Sequence, residues 1–223
     1  SPPPSPPPSA PPPPPLPPSA PPPVCSVDGA YTFTGIASSY LTATPRTPTI
    51  GGTSGLTISA WVKRSTSGDA YDRLIDFGSG GHDSNIVLSF AAGTTYHAYH
   101  GGSYAELSVN TSFPVSVWTH VALVASQVGS TSYGPAAIYW DGVLKASTSS
   151  MRFPQDATRS GYYVGRSHWD VDPMFQGEMR DLLIWDFALS VSQLDDVRLA
   201  NLLPASAAPL VEMMRSSCDV SPP

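Results

Sequence analysis

The sequence predicts an all-β fold, a β-sandwich or jelly roll, with one short helix near its C-terminus. Three observations carry this prediction. From Tyr31 onward, roughly a dozen short segments alternate apolar and polar residues with period two, separated by clusters of Gly, Pro, Asp and Ser. Ala137 to Leu144 (AIYWDGVL) holds the Asp141-Gly142 pair that suits a type I′ hairpin turn. Helical periodicity occurs only around Ser190 to Leu202, where Ser190 and Gln193 stand at capping-box spacing.

Taken in order, Tyr31 to Gly35 and Tyr40 to Thr44 read as short strands, and Arg46 to Gly55 as a Pro- and Gly-bearing loop. Leu56 to Arg64 (LTISAWVKR) places Leu56, Ile58, Ala60 and Val62 on one face and Trp61 on the other. A polar loop, Ser65 to Asp72, precedes a strand at Leu74 to Phe77. The turn Gly78 to Ser84 (GSGGHDS) leads to a strand at Asn85 to Phe90. Thr94 to His100 (TTYHAYH) alternates strictly, with Tyr96, Ala98 and His100 facing one way and His97 and Tyr99 the other. Ala105 to Val109 and Trp118 to Ala125 continue the pattern. Met179 to Phe187 (MRDLLIWDF) is a dense apolar run suited to a buried strand. Leu194, Val197 and Leu199 then supply the apolar face of the helix.

The chain has 223 residues, 26 of them proline, two cysteines and a formal net charge of −6. Sixteen prolines fall within Ser1 to Pro23, so two materials are joined. Residues 24–219 suit one sandwich domain, long enough to bury a core without help from a metal. Residues 220–223 start a second Pro-rich linker. The acidic balance argues against nucleic acid, which needs clustered Lys and Arg. No apolar run approaches the roughly 18 residues of a membrane span. The first residues lack the charged-then-apolar pattern of a signal peptide.

Residues 1–23 carry no charge and should form a polyproline II rod, because each proline fixes φ and removes a backbone donor. A stiff spacer is one reading. A ligand for a proline-binding domain is another, although no Arg or Lys flanks the PxxP units. Cys25 and Cys218 bracket the domain, which suggests a disulfide joining its ends in an oxidising compartment. Two free thiols are the alternative. Neither cysteine has a neighbour at zinc spacing.

Ser followed by three or more Pro resembles the hydroxyproline-rich glycoproteins of plant and green-algal (volvocine) matrices. That resemblance implies hydroxylated, O-glycosylated prolines at Pro2, Pro3, Pro4, Pro6, Pro7, Pro8, Pro11, Pro12, Pro13, Pro14, Pro15, Pro17, Pro18, Pro21, Pro22 and Pro23. The folded part resembles the laminin-G-like, or concanavalin A-like, jelly-roll superfamily. The residues that carry this are Ile58 to Lys63 (ISAWVK), Trp118 to Ala122 (WTHVA), Ile138 to Leu144 (IYWDGVL) and Tyr163 to Arg166 (YVGR). Phe175-Gln-Gly177 and Leu182 to Leu189 complete the set, and Tyr31 to Gly35 (YTFTG) is similar to the opening strand. The resemblance implies an all-β, two-sheet antiparallel jelly-roll sandwich, one sheet concave, with its termini paired near each other, in agreement with a Cys25–Cys218 bridge.

Glucanases of that fold use closely spaced carboxylates on one strand, because retaining hydrolysis needs two carboxyls about 5 Å apart. After the rod this chain has only Glu106, Glu178 and Glu212, and no Glu-x-Asp-x-x-Glu. No enzyme is expected. Calcium is the cofactor candidate, since family members hold it with loop Asp and backbone oxygens. Two positions where the family often has Asp carry Thr34 and Arg180, so Asp170 and Asp172 are the alternative pair, with Asp69, Asp72 and Asp83 behind them. Solvated loop carboxylates are the other reading of all five.

Sugars are held by aromatic faces and planar polar groups. Trp169 in a polar loop is the foremost candidate, followed by His168, Tyr96, Tyr99, Tyr104, His82 and His100. Trp61, Trp118, Trp140 and Trp185 are assigned to core or sheet packing. Asn110-Thr-Ser112 is an N-glycosylation sequon. Together these point to a secreted, non-enzymatic assembly module of a matrix, wall or flagellar-surface filament. It would dock onto glycans or glycoproteins, copies of itself included. A lectin for soluble or wall polysaccharide is the alternative, and a glucanase-like enzyme the third.

Overall fold

Two antiparallel sheets stack face to face around an aromatic core. The computed structural model describes residues 29–47, 49–51, 55–65, 71–126, 132–199 and 208–214. The proline-rich stretch, Cys25, Cys218, Asp69 and residues 220–223 therefore lie outside the described residues. The chain runs β1 (Tyr31–Thr34), β2 (Leu41–Thr42), β3 (Thr49–Ile50), β4 (Leu56–Arg64) and β5 (Asp72–Gly78). It continues β6 (Ile86–Phe90), β7 (Thr94–His100), β8 (Ser103–Ser108), β9 (Thr119–Ala125) and β10 (Tyr133–Trp140). Last come β11 (Val143–Arg152), β12 (Ala157–Thr158), β13 (Gly161–Val164), β14 (Gln176–Trp185), α1 (Val191–Arg198) and β15 (Val211–Met213).

A seven-stranded sheet has the order β1-β14-β4-β9-β10-β11, with β15 also on β14; a six-stranded sheet has the order β2-β13-β5-β6-β7-β8. Every pairing between these strands is antiparallel, as the jelly-roll reading requires. The hairpin prediction holds in detail: Asp141 and Gly142 have φ of 49° and 78°, the two positive values of a type I′ turn. The capping box holds too, with the Ser190 amide donating to Gln193 Oε1 and the Gln193 amide to Ser190 Oγ.

Three expectations need correction. The loop from Arg46 to Gly55 contains β3, which pairs with β12. The buried Arg159 guanidinium holds that corner by donating to the carbonyls of Ile50, Ser84, Gln155 and Ala157. The late apolar strand starts at Gln176 rather than Met179, because β1 and β4 both pair with its polar first residues. The strand after Asp141-Gly142 runs on to Arg152, since a serine- and threonine-rich edge strand has no apolar signature.

Aromatic rings span the core. Phe33 meets Phe175 edge-on at 5.5 Å, Phe90 meets Phe113 at 4.8 Å, and Phe113 meets Trp140 at 5.1 Å. The Trp140 indole N–H donates to Thr94 Oγ1 at 2.9 Å, tying β10 in one sheet to β7 in the other. At the crossover from β4 to β5, Arg64 binds Asp72 with two hydrogen bonds, Nε to Oδ2 at 3.2 Å and Nη2 to Oδ1 at 2.7 Å. Both side chains are almost wholly buried, and the guanidinium lies 4.9 Å from the Phe90 ring centroid.

The chain's two described ends meet on β14. Tyr31 lies opposite Met179 and Met213 opposite Leu182, while the Asp181 amide donates to the Met214 carbonyl. Asp181 has φ of 51° and sits in the bulge between Arg180 and Leu183. That extra residue lets Met179 and Leu182, three apart, both face the core.

On the outer face of the seven-stranded sheet, α1 and the preceding turn cover a second apolar cluster of Ala122, Leu183, Trp185, Leu189 and Leu194. Beside it His120 is buried, with Nε2 2.8 Å from Ser59 Oγ. Burial holds its pKa down to about 3, with a smaller push from Arg198.

Two stability experiments follow from this packing. Arg64→Met strands the Asp72 carboxylate in the core and should cost about 3–5 kcal/mol in denaturant unfolding. The double change Arg64→Met, Asp72→Leu should recover most of that loss. A single variant as stable as wild type would show that the pair is not held as described. For His120, the depressed folded pKa means a contribution complete above the unfolded value near 6.5 and lost as pH falls from there toward 3. The fall of Tm between pH 6.5 and pH 3 should be shallower in His120→Gln than in wild type, and equal slopes would refute the assignment.

Candidate functional site

The outer face of the six-stranded sheet carries the densest group of aromatic and charged side chains. One cross-strand row reads Tyr163, Asp76, Val87, His97 and Glu106, on β13, β5, β6, β7 and β8 in turn. The next row sets Tyr99 of β7 beside Tyr104 of β8.

A bulge makes this face polar. Arg73 and Asp76 are three residues apart and would face opposite ways on a regular strand. The register shift between Arg73 and Ile75 turns both outward, and Arg73 Nε stands 3.7 Å from Asp76 Oδ2. The loop after β13 then folds over them. Asp172 Oδ2 accepts from the Arg73 guanidinium and from Ser167 Oγ, and Ser167 Oγ accepts from the Trp169 amide at 3.0 Å. The His168 amide donates to Asp76 Oδ2 at 2.9 Å, while Asn85 donates to Asp76 Oδ1 at 2.7 Å.

That clamp sets Trp169 over the sheet. Its ring centroid lies 5.3 Å from Tyr99 and 5.0 Å from His82, with the Arg73 guanidinium 5.5 Å away. The indole N–H donates to His82 Nε2 at 3.1 Å. Tyr99 continues to Tyr104 at 5.1 Å, and Tyr104 to His97 at 5.3 Å. Glycines leave the space for this. A Cβ on Gly81 would come within 3.1 Å of the Trp169 indole nitrogen, and one on Gly161 within 2.5 Å of His168 Nε2.

Burial lowers the pKa of His97 against the opposing pull of Glu106, whose carboxylate its Nε2 meets at 3.1 Å. Burial also raises the pKa of Tyr99. Both groups are therefore neutral near pH 7. The face combines ring surfaces with hydrogen-bonding groups whose charges are compensated locally.

Of the residues singled out in the sequence, Trp169, Tyr99, Tyr104 and His82 come together here. His168 is beside them, but its ring packs on Tyr163 at 4.5 Å rather than on the aromatic row. Tyr96 is corrected: it is fully buried in the core, on the opposite side of β7 from Tyr99. His100 shares that opposite side and meets Gln155 at 2.6 Å. Asp170 and Asp172 do not converge. Asp172 is engaged by Arg73 and Ser167, whereas Asp170 is 95% exposed in its side chain and faces Arg166. Asp72 is spent on Arg64, and Asp83 lies in an exposed turn. Among the described residues no three His, Cys, Asp or Glu side chains are placed to hold a metal ion. Asn110 is exposed just after β8, accessible for modification.

Sequence reasoning missed Arg73, Asp76 and His97. His97 was within reach, because the alternation of Thr94 to His100 puts it on Tyr99's face. Arg73 and Asp76 gave no such signal without knowledge of the bulge.

No curated protein matches the chain. Among solved structures it is similar to a heptameric SAP-like pentraxin from Limulus polyphemus, with TM-score 0.60 and 17% identity, covering 86% of this chain and 91% of that one. It is similar to domain 4 of an extracellular GH43 arabinanase from Geobacillus stearothermophilus in complex with arabinotriose, with TM-score 0.56, 22% identity and 75% of each chain covered. It is also similar to the CBM40 of a Ruminococcus gnavus IT-sialidase bound to α2,3-sialyllactose, with TM-score 0.51 and 17% identity, covering 75% of this chain and 97% of that one. At these identities the likeness is one of fold. A laminin G-type family model matches residues 34–195, from the end of β1 into α1. The chain belongs to the concanavalin A-like lectin/glucanases superfamily.

Proposed function

We propose that this domain is a non-catalytic glycan-binding module whose ligand lies along Trp169, Tyr99 and Tyr104 on the six-stranded sheet. The single observation that carries the reading is the run of rings from His82 through Trp169 and Tyr99 to Tyr104, each within 5.3 Å of the next. Sugar rings offer C–H faces that pack on such surfaces, while neighbouring polar groups fix orientation. The similar structures determined with arabinotriose and sialyllactose support the same class of ligand.

Hydrolysis is not part of the proposal. Asp76 and Glu106 are three strand spacings apart across the row, about 14 Å, against roughly 5 to 9.5 Å between glycosidase carboxyls. Asp76 and Asp172 are both engaged by Arg73 rather than free to face a glycosidic bond.

A glycan array of neutral and acidic oligosaccharides, followed by calorimetry on the best hit, tests the site. Trp169→Ala and Tyr99→Ala should each weaken binding about tenfold, the worth of one aromatic contact, with no release of reducing ends in either form. Unchanged affinity in both variants, or no hit on the array, would overturn the proposal; sugar release would overturn its non-catalytic part.

The assembly reading joins this one. We infer that the domain is a bead on a proline-rich chain, because its described ends leave β14 side by side. A Cys25–Cys218 bridge would close the domain at that point. Intact mass of the secreted chain should then be two hydrogen atoms lower before reduction than after it. Two alkylatable thiols in unreduced material would exclude the bridge.

A further inference from the structure

We propose that the outer face of the seven-stranded sheet carries a second, independent site, centred on Arg180, for the carboxylate or sulfate group of an acidic saccharide. Arg180 lies on β14 opposite Trp61 of β4, which lies opposite His120 of β9. The guanidinium carbon stands 5.3 Å from the Trp61 ring centroid and 4.9 Å from that of Trp118. Stacking engages the face of a guanidinium and leaves its N–H edge for acceptors.

Among the described residues that edge has no acceptor. The other described arginines all do: Arg46 has Glu212, Arg64 has Asp72, Arg73 has Asp76 and Asp172, Arg166 has Asp170, and Arg198 has Asp195. Arg152 and Arg159 donate to backbone carbonyls. Among the described residues Arg180 alone meets only indole rings. Its Nε is buried without a partner, while the residue as a whole is only partly buried. A guanidinium partly stripped of water and lacking an acceptor binds an arriving oxyanion more strongly than a hydrated one does.

The surroundings favour an external anion. Lys63, next to Trp61 on the same face, is neutralised by Glu178 at 2.8 Å, so that carboxylate is already engaged. Helix α1 covers Ala122, Leu183 and Trp185 further along the sheet, leaving Trp61, Trp118 and Arg180 only partly covered. The two indoles bracketing the cation give a pyranose ring a surface beside its charged group. A uronate carboxylate and a sulfate ester present the same pair of oxygens to the terminal nitrogens.

Calorimetry and tryptophan fluorescence on the whole domain at low salt, with four oligomers of matched length, test this. The probes are an oligogalacturonate, a sulfated galactan fragment, a neutral galactan fragment and an oligoglutamate. One of the two acidic saccharides should bind, more weakly as salt rises, and which one binds assigns the group. Arg180→Gln should reduce that affinity about 10- to 100-fold. Arg180→Lys, which keeps the charge but not the planar stacking or the paired donors, should fold as wild type and lose less than Arg180→Gln. Trp169→Ala should leave this binding unchanged, which separates it from the site on the other sheet. Binding by neither acidic saccharide, equal binding of the neutral fragment or of oligoglutamate, or an Arg180→Gln variant that binds as wild type would each overturn the proposal.

Discussion

Arg64 ends β4 and Asp72 begins β5, and their buried, two-bonded ion pair marks the point where the chain leaves one sheet for the other. A charge there has no water to turn to, so each partner is tolerable only while the other is in place. The pair draws the ends of two strands from different sheets together. It also sets Arg64 against Phe90, the ring that touches Phe113 and Phe175. Crossover, core and sheet spacing are thus one constraint. The Arg64 carbonyl accepts from the Ser116 amide, which brings the segment before β9 to the same corner.

The consequence for the surface comes immediately downstream. With Asp72 directed inward, β5 still has to place Ile75 and Phe77 in the core. The bulge after Arg73 reconciles the two and releases Arg73 and Asp76 together onto the outer face. Those two charges are what the loop after β13 grips through Asp172, Ser167 and the His168 amide. Trp169 is therefore positioned by polar bonds beneath it rather than by apolar burial, which explains how a half-exposed indole keeps one orientation above Tyr99.

Much of the fold was legible because it rests on local rules. The alternation in Leu56 to Arg64 and Thr94 to His100, the Asp141-Gly142 turn and the Ser190 to Gln193 box each follow from a few adjacent residues. Within the site, Trp169, Tyr99, Tyr104 and His82 were legible as aromatics in polar settings. Tyr96 and His100 were not separable from them by type, although the alternation already placed both on the far side of β7 from Tyr99. The core took that side because Ala98 and Leu88 also face it. Arg73 and Asp76 were out of reach for a different reason, and Asp172 was singled out only as a metal ligand, not as the partner of Arg73. A bulge is a property of strand pairing, and nothing in Asp72 to Phe77 alone says where the extra residue goes.

Arg180 shows the same limit from the other direction. By resemblance it stood where a calcium-binding carboxylate is common, and it read as an argument against an ion. The bulge at Asp181 and the pairing with β4 give it a separate setting, on the opposite sheet from the aromatic row and between two indoles. The two faces consequently differ in kind. On the six-stranded sheet the charges of Arg73, Asp76 and Asp172 compensate one another, so the outer face presents rings and neutral hydrogen-bonding groups. On the seven-stranded sheet one cation lies between two indoles with no acceptor among the described residues, in a chain whose net charge is −6. The two proposed sites would therefore differ in what they engage, ring faces on one sheet and an anionic substituent on the other.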